Sequence, residues 1–160
     1  MDELSRKILR ILQKDARTSI SEIAHKVGRP RTTVAQRIRK LEDNGVITSY
    51  RALIDPYKVG FRYHAVVMLK VRKGSKSFMC QIEIAKKIVN ECASRTDLPF
   101  VDEALILTGG YDILMRIWVR EWKDLSRFLL EYLPRIDEVA STETLMVLEK
   151  VPETPKSFPI

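Results

Sequence analysis

Side-chain amides, histidine and cysteine are all scarce in this 160-residue chain, and each scarcity closes off a class of function. Cys80 and Cys92 are the only cysteines. Both fall in one predicted helix, where a rise of ~1.5 Å per residue sets them roughly 18 Å apart, beyond the reach of a disulfide. With His25 and His64 as the only imidazoles, no metal-ligand spacing forms. Neither histidine stands beside a paired acid or nucleophile, as a catalytic base would, so no metal or cofactor is expected. No run approaches the ~20 apolar residues of a membrane span. The opening Met1-Asp2-Glu3-Leu4-Ser5-Arg6-Lys7 carries acids and no long apolar core, unlike a signal or transit peptide. A cytoplasmic protein with no membrane partner is expected. The five amides, Asn44, Asn90, Gln13, Gln36 and Gln81, beside 31% charged residues, fit a heat-adapted source.

What is present is an excess of positive charge in one place. The net charge of +7 favours an acidic partner, nucleic acid before anionic membrane. Residues 1–55 hold 12 Lys+Arg against 7 Asp+Glu, while the remaining 105 hold 16 against 14. In that first third Leu4, Ile8, Ile11 and Leu12 recur at helical spacing, predicting an amphipathic helix that ends near Asp15-Ala16. A second helix begins at Ser19, with Glu22 three residues on completing a capping box. Its core face is Ile20, Ile23, Ala24 and Val27, and Gly28 suits the position after its end. A third runs from Pro30 to Asp43 with Val34, Ile38 and Leu41 inward and a stop at Asn44-Gly45. Three short helices with a tight turn at Gly28 match a helix-turn-helix unit.

The third helix is the informative one, because Arg29 to Lys40 contains five basic residues and no acid. With its apolar positions inward, a step of roughly 100° per residue turns Thr32, Thr33, Gln36, Arg39 and Lys40 outward. Glutamine pairs bidentately with adenine, arginine with guanine, and threonine meets a base edge or a thymine methyl. Lys40 suits a phosphate. Arg29 opens the run, Arg31 is placed for backbone phosphate, and Arg37 lies on the flank where a neighbouring acid competes for it. A solvated basic face on an ordinary three-helix bundle would carry the same charge. The Gly28 turn and the outward Gln/Thr/Arg surface favour double-stranded DNA.

Leu4-Ser5-Arg6-Lys7-Ile8-Leu9, Asp15-Ala16-Arg17, and Val34-Ala35-Gln36-Arg37-Ile38-Arg39-Lys40-Leu41-Glu42 followed by Gly45-Val46-Ile47 resemble the Lrp/AsnC family of feast/famine transcription regulators. The resemblance covers nearly the whole chain. Family members usually carry serine where this chain has Pro30; proline is compatible with a first helical turn, so the departure touches the cap and its phosphate contact rather than the fold. Residues 47–54 read as a strand broken by Asp55-Pro56, which the resemblance makes the linker between domains. The expected division is a helix-turn-helix, winged-helix-like domain and linker over 1–60, a second domain over 61–151, and a tail over 152–160 marked by Pro152, Pro155 and Pro159.

After the linker the order is strand (63–72), helix (77–92), strand (100–108), strand (111–120), helix (122–133), strand (139–151). That is the βαββαβ ferredoxin-like arrangement, α+β in class. Phe78, Ile82, Ala85, Val89 and Cys92 mark the core stripe of the first helix, and Leu125, Phe128, Leu129, Tyr132 and Leu133 that of the second. The strands are apolar on both faces: Ala65, Val67 and Leu69 alternate with Val66 and Met68, and Ile113, Met115 and Ile117 with Leu114 and Trp118. Two helices cover one face only, which predicts a homodimer through the other. The resemblance implies the same pairing, often extended to tetramers or octamers.

Thr108-Gly109-Gly110-Tyr111-Asp112 sits between the middle strands and by itself reads as a tight Gly-Gly hairpin. In the family such a Gly-x-Tyr/Phe-Asp turn helps form an amino-acid effector site between subunits. The resemblance therefore implies an effector site at Thr108, Gly109, Gly110, Tyr111 and Asp112, completed by Ser141, Thr142 and Thr144. Backbone amides there can hold a carboxylate and Asp112 an ammonium. Many members have an acid where this chain has Gly110, which points to a ligand less cationic than lysine or arginine, or differently shaped. The leading function is a sequence-specific transcriptional regulator responsive to an amino acid or related metabolite, and an effector-independent architectural DNA binder is the alternative. Some proteins resembling the family are sirohaem decarboxylases. Such an enzyme would lose the basic recognition face and add His and Arg in a deep pocket, whereas this chain keeps the basic helix and has two histidines, so catalysis is not expected.

Overall fold

A computed structural model of the chain describes residues 1–72, 74, 78–151 and 157–160. Ser77 as a helix start, the side chain of Phe78, and Pro152 and Pro155 in the tail lie outside the described residues. The chain forms two compact units, Met1–Leu53 with Val151–Ile160, and Ile54–Lys150.

The first unit is built on α1 (Glu3–Lys14), α2 (Ile20–Val27) and α3 (Arg31–Asp43). Asp2 caps α1 by accepting from the Ser5 amide at 2.9 Å. The capping box at α2 forms in both directions, Ser19 accepting from the Glu22 amide and the Glu22 carboxylate accepting from the Ser19 amide. Gly28 then adopts φ 62°, a left-handed conformation costly for a residue with a Cβ, and its amide donates to the Ala24 and His25 carbonyls. Ile8, Leu9, Ile23, Ala24, Val34, Ile38 and Leu41 make the core. Ile20, expected inside, is 41% exposed: a two-turn helix centres its buried face on Ile23 and Ala24, and its first residue falls at the rim.

The strand expected over residues 47–54 is absent, since residues 48–55 join no ladder. Alternating apolar residues favour an extended backbone, but a strand needs a neighbour for its amides and carbonyls, and this chain supplies none there. Leu53 and Ile54 are left exposed. Asp55 then accepts from the Tyr57 amide at 3.0 Å, and a short 3-10 turn over Tyr57–Val59 closes at Gly60.

The second unit carries a four-stranded antiparallel sheet, β1 (Tyr63–Val71), β2 (Phe100–Ile106), β3 (Ile113–Val119) and β4 (Val139–Met146), in the order β2-β3-β1-β4. Helix α4 (Phe78–Ser94) and α5 (Trp122–Arg127) complete the βαββαβ sequence. The register pairs Ala65, Val67 and Leu69 with Ile117, Met115 and Ile113, and all six are buried in the core beneath the helices. The face that α4 presents to that core is Ile84, Ala85, Ile88 and Cys92, rotated from the expected stripe, because Ile82 and Val89 are only half-buried. Burial pushes the thiol of Cys92 up to about 12. After Arg127 the helix widens to a π turn over Phe128–Tyr132. The wider turn brings residues five apart toward one side, and Phe128 and Leu133 are both fully buried. β4 stops at Met146, opposite Ala65, rather than running to Val151, because β1 begins two residues further on and offers no longer ladder.

The opposite sheet face carries Val66, Met68, Leu105, Leu114 and Leu145, half-buried or exposed. Arg116 lies among them and is neutralised by Asp102 at 2.7 Å and Glu103 at 3.3 Å. Trp118, expected to await a partner, is only 7% exposed: His64 stacks on it at 4.1 Å and Tyr57 meets it edge-on at 5.4 Å. Among the described residues Nε2 of His64 has no hydrogen-bond partner, and burial, reinforced by Arg116, holds the imidazole below its usual 6.5. Between that lowered value and 6.5 the unfolded chain binds a proton that the folded chain does not, so stability falls as pH drops below about 6.5. Thermal melts across pH 7.5 to 5 should show this loss, and His64→Gln should flatten it; identical profiles would assign the acid sensitivity to other groups.

Candidate nucleic-acid interface and effector turn

Helix α3 divides cleanly by side. Val34, Ile38 and Leu41 are buried, while Arg29, Arg31, Thr32, Gln36, Arg39 and Lys40 are exposed and Thr33 is half-buried. Of the sequence-derived set, Arg37 alone is engaged in an ion pair among the described residues, with Asp2 at 2.9 Å. Asp2 thus caps α1 and holds α3 against it, and its carboxyl lies below the usual range because of hydrogen bonds from Ser5 and, to a lesser degree, Arg37. Pro30 stands at the N-cap with no side-chain hydrogen bond. The first amides of the helix and its positive dipole end are therefore available to an anion such as a phosphate. At the other end the Tyr50 hydroxyl donates to Glu42 at 2.8 Å, fastening the following segment to α3.

The turn between β2 and β3 is wider than a two-residue hairpin. The Leu107 amide donates to the Asp112 carbonyl at 2.8 Å, so the loop spans Thr108 to Tyr111, and only Gly109 of the glycine pair has a positive φ, 118°. Asp112 is tied inward: its carboxylate accepts from the Val71 amide at 2.7 Å and from Nε2 of Gln81 at 3.2 Å, while its amide donates to Leu69. Gln81 is itself buried. Both carboxylate oxygens thus staple the turn to the end of β1 and to α4, rather than standing open to an ammonium.

The structure also separates residues grouped by sequence. Thr142 and Thr144 pair with Leu69 and Val67 on the helix-covered side, whereas Ser141 pairs with Lys70 on the open side, because successive strand residues point to opposite faces. The residue that sequence reasoning missed is Glu143. It pairs with Met68 on the open face and accepts a hydrogen bond from the Tyr111 hydroxyl, which raises the phenol above its usual value and keeps it protonated. Strand parity was the signal available: Glu143 lies one step from either threonine and so on the other side.

Substitutions in this turn have opposite expected outcomes. Gly109→Ala forces a Cβ into the positive-φ region and is expected to cost ~1–3 kcal/mol of stability. Gly110 has ordinary φ and open space around a would-be Cβ, so Gly110→Asp should melt with the parent. Thermal melts of the two variants check the contrast.

Residues 1–48 match the family model described as winged helix-turn-helix DNA-binding, and residues 64–157 match the Lrp/AsnC ligand binding domain. The chain belongs to the Lrp/AsnC family. It is a DNA-binding transcriptional regulator of that family, with the α+β, ferredoxin-like second unit that its strand order displays. An HTH-type transcriptional regulator of Pyrococcus abyssi is 38% identical over 144 residues, 90% of this chain and 84% of that protein. The crystal structure of an AsnC family regulator from Agrobacterium tumefaciens matches with a TM-score of 0.80 at 30% identity, covering 99% of this chain and 97% of that one. A transcriptional regulator from Neisseria meningitidis, solved in complex with L-Met, matches with a TM-score of 0.78 at 25% identity, covering 99% and 96%. No helix among the described residues is long and apolar enough to cross a membrane.

Proposed function

We propose that the protein is a cytoplasmic, sequence-specific Lrp/AsnC regulator that binds two related half-sites as a homodimer or a higher assembly of dimers. Residues 1–60 read DNA, residues 61–151 pair the subunits, and the pairing unit responds to an amino acid or related metabolite. The carrying observation is the outward side of α3, where Thr32, Gln36, Arg39 and Lys40 are exposed together with no acid between Arg29 and Lys40. Gln36 and Arg39 are the base readers, Thr32 and Thr33 adjust to base edges, and Arg29, Arg31, Arg37 and Lys40 face phosphates, Arg37 in competition with Asp2. The open apolar face of the sheet supports pairing, since a second copy covers it with an identical surface. An effector held by the Gly109 and Gly110 amides fits the family's ligand-binding unit and the L-Met complex of the Neisseria relative.

A second reading, effector-independent architectural binding, is favoured by the inward staple of Asp112, which occupies the acid that an ammonium would use. Selection of bound duplexes from a randomised pool, with and without a mixture of the twenty amino acids, separates the two. One enriched two-fold symmetric motif, with occupancy that shifts on amino-acid addition, is the expected result. Enrichment without a shift favours the architectural reading, and a pool with no enriched motif overturns sequence-specific regulation.

A further inference from the structure

At the end of the sheet away from the Gly109–Gly110 turn, positive charge collects without a counterion. The β1–β3 ladder ends at the pair Tyr63 and Val119, and one residue beyond it on either strand stand Arg62 and Arg120. Both line an open cavity of about 440 Å³, together with Gly60, Tyr63, Glu121 and Trp122. Among the described residues neither guanidinium is in an ion pair. The acid of the lining, Glu121, is held by Lys123 at 2.9 Å, and Arg62 is a lesser influence on it. Arg120 is set in place by three consecutive residues. Its Nη1 donates to the Val59 carbonyl at 3.3 Å, and its guanidinium carbon lies 4.8 Å from the centre of the Phe61 ring. Gly60 between them has φ 92°, and a Cβ there would stand 2.9 Å from Nη1. Beside the two cations the Trp122 ring meets Tyr63 edge to face at 5.6 Å and is still 56% exposed.

Like charges at neighbouring strand positions repel. An oxyanion between them removes that repulsion and takes hydrogen bonds from both planar forks. Small-molecule sites occupy ~300–1,000 Å³ and are mostly apolar, whereas charged side chains dominate this wall and select a ligand that is itself charged. The exposed indole adds a flat surface on which a base can stack. We infer that this cavity binds a nucleoside phosphate, with its phosphate between Arg62 and Arg120 and its base on Trp122. In duplex DNA the bases are stacked on one another and offer Trp122 no face without unstacking, so the free nucleotide is the better match. Ile113, beside the effector turn, and Val119 lie six residues apart on β3, roughly 20 Å at ~3.3 Å per residue. The nucleotide site is therefore separate from an amino-acid site at Gly109 and Gly110.

Calorimetric titration of the full chain with AMP is the test, with inorganic phosphate and adenosine as the two halves of the probe. Saturable AMP binding, at least tenfold tighter than either half, is the expected result. Arg62→Gln and Arg120→Gln should each weaken AMP at least tenfold. Trp122→Ala should weaken AMP about tenfold and leave inorganic phosphate unchanged. Lys58→Gln removes a charge from the exposed turn just before the cavity and should bind AMP like the parent. Should Arg120→Gln fail to fold, since it also loses the Phe61 contact, Arg62→Gln and Trp122→Ala carry the same comparison. Absence of saturable AMP binding overturns the inference. So does inorganic phosphate that binds as tightly as AMP, which leaves a plain oxyanion site, and so does a loss in Lys58→Gln equal to that in Arg62→Gln, which means diffuse attraction. Arginine variants that lose affinity for duplex DNA while no nucleotide binds would assign the two guanidiniums to the DNA backbone instead.

Discussion

Leu114→Glu is expected to turn the protein into monomers and to weaken its binding to a two-half-site duplex by two orders of magnitude or more. Leu114 lies in the interior of the open face, paired across the sheet with Met68 on one side and Leu105 on the other. In a face-to-face dimer its carboxylate replacement would be desolvated on both sides of the interface. Arg116, two residues along β3, is already neutralised by Asp102 and Glu103 and offers the new charge little compensation, and a poorly compensated buried charge costs several kcal/mol. Leu114 points away from the helix-covered core, so the fold itself should persist with unchanged circular dichroism. Loss of pairing removes the linkage between two recognition helices, an effect worth about 10²–10⁴ in affinity. Light scattering and duplex titration on the full chain measure both parts, and a variant that remained dimeric would place the interface on another surface.

The second large effect concerns the reading side of α3. Gln36→Ala and Arg39→Ala should each weaken binding to the preferred duplex by ~1–3 kcal/mol per contact and relax base preference at the position read. Because a dimer carries two copies of the change, the loss over a two-half-site duplex approaches twice that figure. Lys40→Ala should weaken every sequence alike and flatten the dependence on salt, since a lost phosphate contact releases fewer counterions. The side chains at 36, 39 and 40 are exposed, so melting temperatures should stay with the parent. Gln36 and Arg39 variants that kept full affinity and preference would show that another surface reads the bases.

Local signals carry the first unit. The Ser19–Glu22 capping box, the Gly28 turn and the inward triplet of α3 are set by residues three or four apart, and all three are legible in the amino-acid sequence alone. The βαββαβ succession along the chain is legible from its runs of apolar residues, and so is the double apolar alternation of the strands, strand parity being a period of two. What is not legible depends on residues far apart or on neighbours that are missing. Asp112 binds Val71 and Gln81, 41 and 31 positions away, and nothing in its own surroundings announces them. The segment over 47–54 has a strand's pattern but no strand beside it, so pattern and structure part company there. The grouping of Ser141 with Thr142 and Thr144 is a different case, because the alternation that separates them is already present in the sequence.

The clean division of α3 also bears on how such a regulator diversifies. Its anchoring side reaches the core through Val34, Ile38 and Leu41, with Arg37 paired to Asp2 on the flank, while Thr32, Gln36, Arg39 and Lys40 stand exposed. If that side reads DNA as proposed, mutations at Thr32, Gln36, Arg39 and Lys40 would alter which operators are recognised with little penalty in folding, so they would accumulate one at a time instead of waiting for compensating changes. Duplicated copies of such a gene can therefore drift to new operators while their cores stay interchangeable. Grafting the outward residues of one paralogue onto the anchoring side of another transfers an address from one scaffold to the next.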